Sequence, residues 1–198
     1  MQIMLAVVLD TCVVFNGLRR DLLLSLAANG AFRLVLTEDL LFEFAEIEDR
    51  KLRERGMETH HAQQRSRGLV QRIRESFHIE SDSDVRLIPA VGLPDEYDEH
   101  LVAAAIVGLA DVIVTENLRD LPRHLMPPGV SVNHPDDFLH DLILTDPAAV
   151  TCALTAMSVR RTAPPQSEFD LINLLSAKDL LRPDAVTLLR SEHAPRWR

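Results

Sequence analysis

The sequence has few of the residues on which several common enzyme classes depend. It contains two lysines, Lys51 and Lys178, and neither follows a late strand as the lysine of a receiver domain does. It contains two cysteines, Cys12 and Cys152, with no Cys/His spacing typical of a zinc site, so we expect both to be buried, reduced thiols. No GxGxxG motif, Walker-A loop or nucleophile elbow is present. These gaps favour chemistry that needs no nucleophilic side chain.

Long apolar runs are also missing. None approaches the roughly 20 residues that a membrane-spanning helix needs. The N-terminus lacks the basic region and the small-residue cleavage site of a signal peptide, so we expect a cytoplasmic protein without membrane contact. Hydrophobic residues make up 46% and charged residues 26% of the 198 positions, as in ordinary soluble globular proteins.

The net charge of −9 argues against a protein whose whole surface binds nucleic acid. It leaves nuclease chemistry open, because a carboxylate cluster that holds metal ions is itself acidic. The most basic segment, residues 49–75, is predicted to form two helices separated at Gly56. It is either a solvated helical hairpin or a surface that contacts phosphates beside the site.

Short apolar runs alternate with helical patterns along the first three-quarters of the chain. The run Met4–Thr11 is typical of a strand buried on both faces of a parallel sheet, and further strands are predicted at 33–36, 112–114 and 130–132. From Asp146 onward the pattern predicts helices only. We therefore predict an α/β domain over residues 1–145 and an all-helical appendage over residues 146–198.

Three acids stand out from this pattern. Asp10 ends the first strand, where ligands of open α/β sheets gather. Glu43 lies between Leu40 and Ile47 on the apolar stripe of a helix that Thr37 is expected to cap. Asp98 lies on the apolar face of an alanine-rich helix.

Each acid also has a structural alternative. Glu43 can lie at the rim of its stripe with its carboxylate in water. Asp98 can be an acid in the first turn of its helix that the helix dipole stabilises. Taken together, however, three acids from three elements predict one oxygen-rich site for a hard divalent cation such as Mg²⁺ or Mn²⁺. Two such ions, roughly 3.5–4 Å apart, activate water and stabilise the leaving oxygen of a phosphodiester.

Four segments carry a family resemblance over residues 3–145: VVLDT, LTEDLLFEFAEI, DEYDEHLVAAAIVGLADVIVT, and TENLRDLP followed by HPDDFL. With them, the chain resembles the PIN-domain ribonucleases of the VapC toxin kind. The resemblance implies a three-layer α/β/α fold with a central parallel sheet. The helical tail is similar to the C-terminal extension of one subgroup of these toxins.

The resemblance also implies roles for individual residues. Asp10, Glu43 and Asp98 correspond to the catalytic metal-site acids, with Thr11 and Thr115 as their supports. A further acidic position of many PIN domains is Asn117 here, and Asp120 follows it as a substitute metal ligand. Asn117 ligates only through a neutral carbonyl oxygen, so the number of metal ions stays open between one and two.

At the level of the whole protein, the resemblance implies Mg²⁺-dependent endonucleolytic cleavage of RNA, with Mn²⁺ as an alternative ion. It further implies a homodimer and neutralisation by a cognate antitoxin. The main alternative, which Asn117 favours, is a non-catalytic PIN-like module that binds RNA or protein. A haloacid dehalogenase-like phosphatase fits poorly, because the second Asp of its motif is Cys12 here. Trp197 is either a base-stacking residue or part of a frayed terminus.

Overall fold

A parallel sheet of four strands forms the centre of the structure. The computed structural model describes residues 4–192, so Trp197 lies outside the described residues. The strands are β1 (Ala6–Leu9), β2 (Arg33–Val35), β3 (Val112–Val114) and β4 (Ser131–Asn133), in the order β2-β1-β3-β4. Strand β1 is buried throughout and pairs with both β2 and β3. The predicted α/β fold with a central parallel sheet is confirmed.

Helices make up most of the remaining described chain. In chain order they are α1 (Thr11–Val14), α2 (Gly17–Ala28), α3 (Glu38–Glu54), α4 (Thr59–Ser76), α5 (Asp82–Val85), α6 (Glu99–Val107), α7 (Pro135–Thr145), α8 (Pro147–Arg160), α9 (Glu168–Ala177) and α10 (Pro183–Glu192). A 3-10 turn, Glu96–Asp98, leads directly into α6. After β4 every helix or strand named in the described chain is a helix, as predicted, and the one addition is an isolated antiparallel bridge between Thr162 and Pro165.

The chain divides into two compact units. The first comprises the residues up to 15 together with 32–134, and contains the whole sheet. The second comprises residues 16–31 and those from 135 on, so α2 clusters with the C-terminal helices. The domain boundary after residue 145 stays a prediction.

Local signals in the sequence explain where the helices of the first unit begin and end. Thr37 Oγ1 accepts a hydrogen bond from the backbone N–H of Leu40 at 3.3 Å and so caps α3. Gly56 has φ +84, a left-handed conformation that glycine adopts without steric cost, and it follows the end of α3. The predicted cap and the predicted break in the basic segment are both confirmed.

The second unit has a core of its own. Fully buried side chains come from α2 and from the C-terminal helices, among them Leu23, Leu154, Ile172 and Leu189. A reciprocal capping box between Ser167 and Asp170 starts α9. Arg160 donates a hydrogen bond to Ser25 Oγ at 2.6 Å, which joins α8 to α2.

The burial of the two cysteines differs from the sequence-based expectation. Cys12 is half-buried and Cys152 is exposed, so the prediction that both thiols are buried is wrong, although both cysteines are free. Cys152 lies on the outer face of α8, whose buried residues are Val150, Ala153, Leu154 and Met157.

Among residues 4–192, no single helix is long and apolar enough to cross a membrane, and only the bent pair α7–α8 passes by length and composition.

Gly108 permits a close approach between the end of α6 and strand β2. A Cβ at this position would lie far inside contact distance of Val35 Cγ1 and 3.1 Å from the carbonyl oxygen of Ala104. Val35 is itself fully buried and short, so it has no room to move away. The close packing of α6 on the sheet therefore depends on this glycine.

We predict that Gly108→Ala lowers the free energy of unfolding by about 1–3 kcal/mol, the usual cost of overpacking a core. The matched control is Gly68→Ala in α4, where a Cβ meets only the flexible end of Arg72 at 3.6 Å. This control should raise stability by about 0.5–1 kcal/mol, because alanine is the better helix former. Urea unfolding followed by circular dichroism measures both, and equal effects of the two changes would contradict the close-approach interpretation.

Candidate active site

The Asp10 carboxylate is held in place by an unusually complete set of hydrogen bonds. Asp10 directly follows β1, is 9% exposed, and caps the short helix α1. Its Oδ1 accepts from the backbone N–H of Cys12 at 3.2 Å and from Thr11 Oγ1 at 3.3 Å. Its Oδ2 accepts from Thr115 Oγ1 at 2.6 Å and from Cys12 Sγ at 3.0 Å. The side chain therefore has one fixed orientation at the carboxyl edge of the sheet.

Thr115 links the ends of two neighbouring strands. It follows β3, is fully buried, and donates its hydroxyl hydrogen to Asp10. The same oxygen accepts the backbone N–H of Asn117 at 2.9 Å. Asn117 Nδ2 in turn donates to Asp120 Oδ2. The turn after β3 is thus tied to Asp10 through a short chain of hydrogen bonds.

A second group of acids surrounds the start of α6. Ligand oxygens of Asp95, Asp98 and Asp120 lie within 4.8 Å of one another. Partial burial, followed by the negative charges of Asp10, Asp95 and Asp120, raises the pKa of Asp98 to about 6. Carboxylates gathered this closely repel one another, and a divalent cation relieves that repulsion.

Glu43 faces a histidine from the neighbouring helix. His100 Nε2 lies 3.4 Å from Glu43 Oε1, and His100 Nδ1 donates to the carbonyl oxygen of Tyr97 at 2.6 Å. Burial is the largest single influence and lowers the pKa of His100, but Glu43, the carbonyl oxygen of Tyr97 and the charge of Asp10 together outweigh it, so the pKa is raised overall. The imidazole therefore connects α3 with the turn that carries Asp98.

These side chains border a single cavity of about 440 Å³ within the first unit. Its lining consists of Asp10, Thr11, Glu43, Glu46, Ile47, Arg50, Arg53, Tyr97, Asp98 and His100. Carboxylate oxygens are the ligands that hard divalent cations prefer. The cavity combines such ligands with two arginines and one tyrosine.

The structure places three of the five predicted site residues on the cavity and the other two beside it. Asp10, Glu43 and Asp98 line the cavity. Asp120 lies beside Asp98, and Asn117 is hydrogen-bonded to Asp120. Their assignment as catalytic residues and metal ligands stays a prediction.

Sequence reasoning missed two participants, Asp95 and His100. Asp95 accepts a hydrogen bond from the backbone N–H of Tyr97 at 3.0 Å, as an ordinary helix cap does. The sequence pattern of a cap does not show that Asp95 lies close to Asp98 and Asp120. His100 belongs to no sequence pattern. Its position two residues after Asp98 is informative only once that acid is assigned to the site.

Comparison with known proteins agrees with this architecture. The sequence profile described as PIN domain matches residues 6–119, more than half of the chain. The chain belongs to the PIN domain family. Its C-terminal part, residues 135–190, matches the profile described as VapC50 C-terminal domain. The resemblance to VapC-type PIN proteins with a C-terminal extension is therefore confirmed.

One curated relative of this PIN-domain chain comes from Mycobacterium tuberculosis (strain ATCC 25618 / H37Rv) and bears the name "Putative ribonuclease VapC50". The two are 34% identical over 79 residues, which cover 39% of this chain and 47% of the relative. The match thus spans about half the length of that relative. No solved structure matches the chain significantly.

The Cys12 thiol is a poor nucleophile although it lies beside Asp10. Burial, then the charge of Asp10 and the hydrogen bond to it, raises the pKa of the Cys12 thiol to about 12. The thiolate is the reactive form of cysteine, so at pH 8 hardly any of the Cys12 side chain is in its reactive form. The thiol serves as a hydrogen-bond donor to Asp10.

We predict that iodoacetamide at pH 8 modifies Cys152 and spares Cys12 in folded, metal-free protein. Cys152 is the internal control because it is exposed. Both cysteines should react once the chain is unfolded in urea. Peptide mass spectrometry measures the two sites separately, and stoichiometric labelling of Cys12 in the folded protein would refute the raised pKa.

Proposed function

We propose that this PIN-domain chain is a metal-dependent endoribonuclease of the VapC toxin type. The observation that carries the proposal is the convergence of Asp10, Glu43 and Asp98 on one cavity. They come from three separate elements: the end of β1, the middle of α3 and the turn before α6. The similarity to a relative named as a ribonuclease supports RNA as the substrate class.

The residues present fit a divalent cation. Asp95, Asp98 and Asp120 offer oxygen ligands within 4.8 Å of one another, and Asp10 faces the same turn closely enough to raise the pKa of Asp98. Asp10, Glu43 and Asp98 are the proposed catalytic ligands, with Asn117 and Asp120 as additional ones. Mg²⁺, or Mn²⁺ in its place, acidifies water and offsets the charge that builds up on a phosphodiester under attack.

The contribution of the chain itself is preorganisation. Four hydrogen bonds fix the Asp10 carboxylate before any ligand arrives, so binding requires little reordering of this side chain. His100 restrains Glu43 from the side of α6. Such outer partners fix the orientation of ligating carboxylates.

The proposed partners follow from the same kinship. We expect an RNA substrate, a cognate antitoxin that neutralises the enzyme, and a homodimer. The match of residues 135–190 to the VapC50 C-terminal domain supports a relationship that extends beyond the nuclease unit.

We predict that purified protein cleaves total cellular RNA into discrete fragments with Mg²⁺ or Mn²⁺, and that EDTA prevents cleavage. Asp10→Asn and Glu43→Gln should each lower the rate at least ~100-fold, since loss of outer-shell partners alone costs 10–100-fold in metal sites. The matched control is Glu54→Gln, an exposed acid on the same helix outside the cavity, which should keep wild-type activity.

Two outcomes would decide against this proposal. Cleavage that persists in Asp10→Asn and Glu43→Gln would reject the site. Absence of cleavage by folded protein freed of antitoxin would favour the non-catalytic binding module.

Asp120 allows a graded test of the same site. We predict that Asp120→Asn lowers cleavage about tenfold, the low end for altered metal-site partners, and that Asp98→Asn abolishes it. Asp98 lines the cavity and senses the charge of Asp10, whereas Asp120 does not line it and is paired with Asn117. Rates measured over a Mg²⁺ titration would show it, and a larger loss in Asp120→Asn than in Asp98→Asn would overturn this ranking.

A further inference from the structure

One face of α3 changes from acidic to basic along the cavity. The residues of α3 that line it are Glu43, Glu46, Ile47, Arg50 and Arg53. Their spacing of three and four residues places them on one stripe of the helix. At 1.5 Å per residue, Arg50 lies about 10 Å further along the axis than Glu43. The cations therefore lie beyond the acids rather than among them.

The two arginines differ in what holds them. Arg53 Nη2 forms an ion pair with Asp49 Oδ2 at 2.7 Å. Arg50 is exposed and forms no hydrogen bond or ion pair within residues 4–192. Glu46 lies four residues before it, but exposed pairs at that spacing are weak. Arg50 can therefore bind a ligand in the cavity without first breaking an ion pair, whereas Arg53 cannot.

Tyr97 adds an aromatic ring to the rim of the same cavity. It is the single tyrosine of the chain and is 80% exposed. Its backbone is fixed on both sides, because the N–H donates to Asp95 and the carbonyl oxygen accepts from His100. An aromatic side chain left in water on a rigid turn, directly before Asp98, is positioned to stack on a flat ligand.

We propose that Arg50 and Tyr97 form a substrate-binding subsite for single-stranded RNA, next to the acids. Arg50 binds a phosphate adjacent to the one that is cleaved, and Tyr97 stacks on a neighbouring unpaired base. Arginine is suited to phosphate, and base stacking on aromatic rings is tolerant of sequence. The inference rests on the proposed ribonuclease function and states how that site holds its substrate.

The phosphate contact is tested through the salt dependence of binding. The probe is a fluorescein-labelled, single-stranded 20-nucleotide RNA of random sequence, measured by anisotropy with Mg²⁺ in the Asp10→Asn background, where cleavage is expected to be at least ~100-fold slower. Arg50→Gln should weaken binding several-fold and reduce the slope of log K against log salt by about 0.7, the value for one phosphate contact on a single strand. The matched control is Arg72→Gln on α4, exposed and outside the cavity.

The stacking contact is tested with two substitutions at one position. Tyr97→Ala should weaken binding on the order of tenfold without changing the salt slope, because stacking carries no ion release. Tyr97→Phe keeps the ring and should bind like the parent. An unchanged affinity in Tyr97→Ala, or an equal loss in Tyr97→Phe, overturns the stacking role.

The outcomes separate this inference from the function on which it rests. If wild-type protein cleaves RNA but Arg50→Gln and Arg72→Gln have the same affinity and salt slope, the subsite is wrong and the nuclease stands. If wild-type protein neither binds nor cleaves RNA, the proposed function itself fails. Loss confined to Arg50→Gln and Tyr97→Ala supports the subsite.

Discussion

Mutual repulsion among carboxylates is the constraint on which the site depends. Burial and the charges of three neighbouring acids raise the pKa of Asp98. The folded chain therefore holds negatively charged groups closer together than is electrostatically favourable. Such an arrangement persists only where the surrounding structure enforces it. Here the enforcement comes from the parallel sheet, whose adjacent strands β1 and β3 end side by side. The Thr115 hydroxyl bridges these two ends by donating to Asp10.

The same geometry explains why the sheet and the site cannot be separated. Asp10 belongs to the site, yet its carboxylate also caps α1 and binds the N–H of Cys12. Asp95 belongs to the acid group, yet it also caps the 3-10 turn before α6. A carboxylate has about four acceptor positions. Asp95 uses one of them for its cap and keeps the others for a cation. The four hydrogen bonds to Asp10 occupy about all of its positions, so a cation bound there would replace at least one of these hydrogen bonds.

Much of this could be predicted from the sequence, and the limits have physical reasons. The apolar run before Asp10 predicted strand β1 correctly, because a strand buried on both faces appears in the sequence as an uninterrupted apolar run. Glu43 and Asp98 were found because an acid on an apolar helix face stands out. The proximity of Asp95 to Asp120 was missed, since the distance between a turn and an acid far away in sequence is a tertiary property. His100 was missed because an isolated histidine has no periodicity to reveal its partner.

The acidic net charge and the proposed RNA substrate are reconciled by distance. At physiological ionic strength the Debye length is about 8 Å, so most of the chain's charge is screened from a bound phosphate. The charges that act on a phosphate in the cavity are the local ones: the acids, which a bound cation would offset, and Arg50, which lies about two turns beyond Glu43 on α3. In the proposed function, the change from acidic to basic residues along α3 would order the substrate: the acids would hold the metal ion at the reacting phosphate, and the basic end of the helix would bind the next phosphate. The proposal therefore implies that α3 sets the direction in which RNA crosses the site.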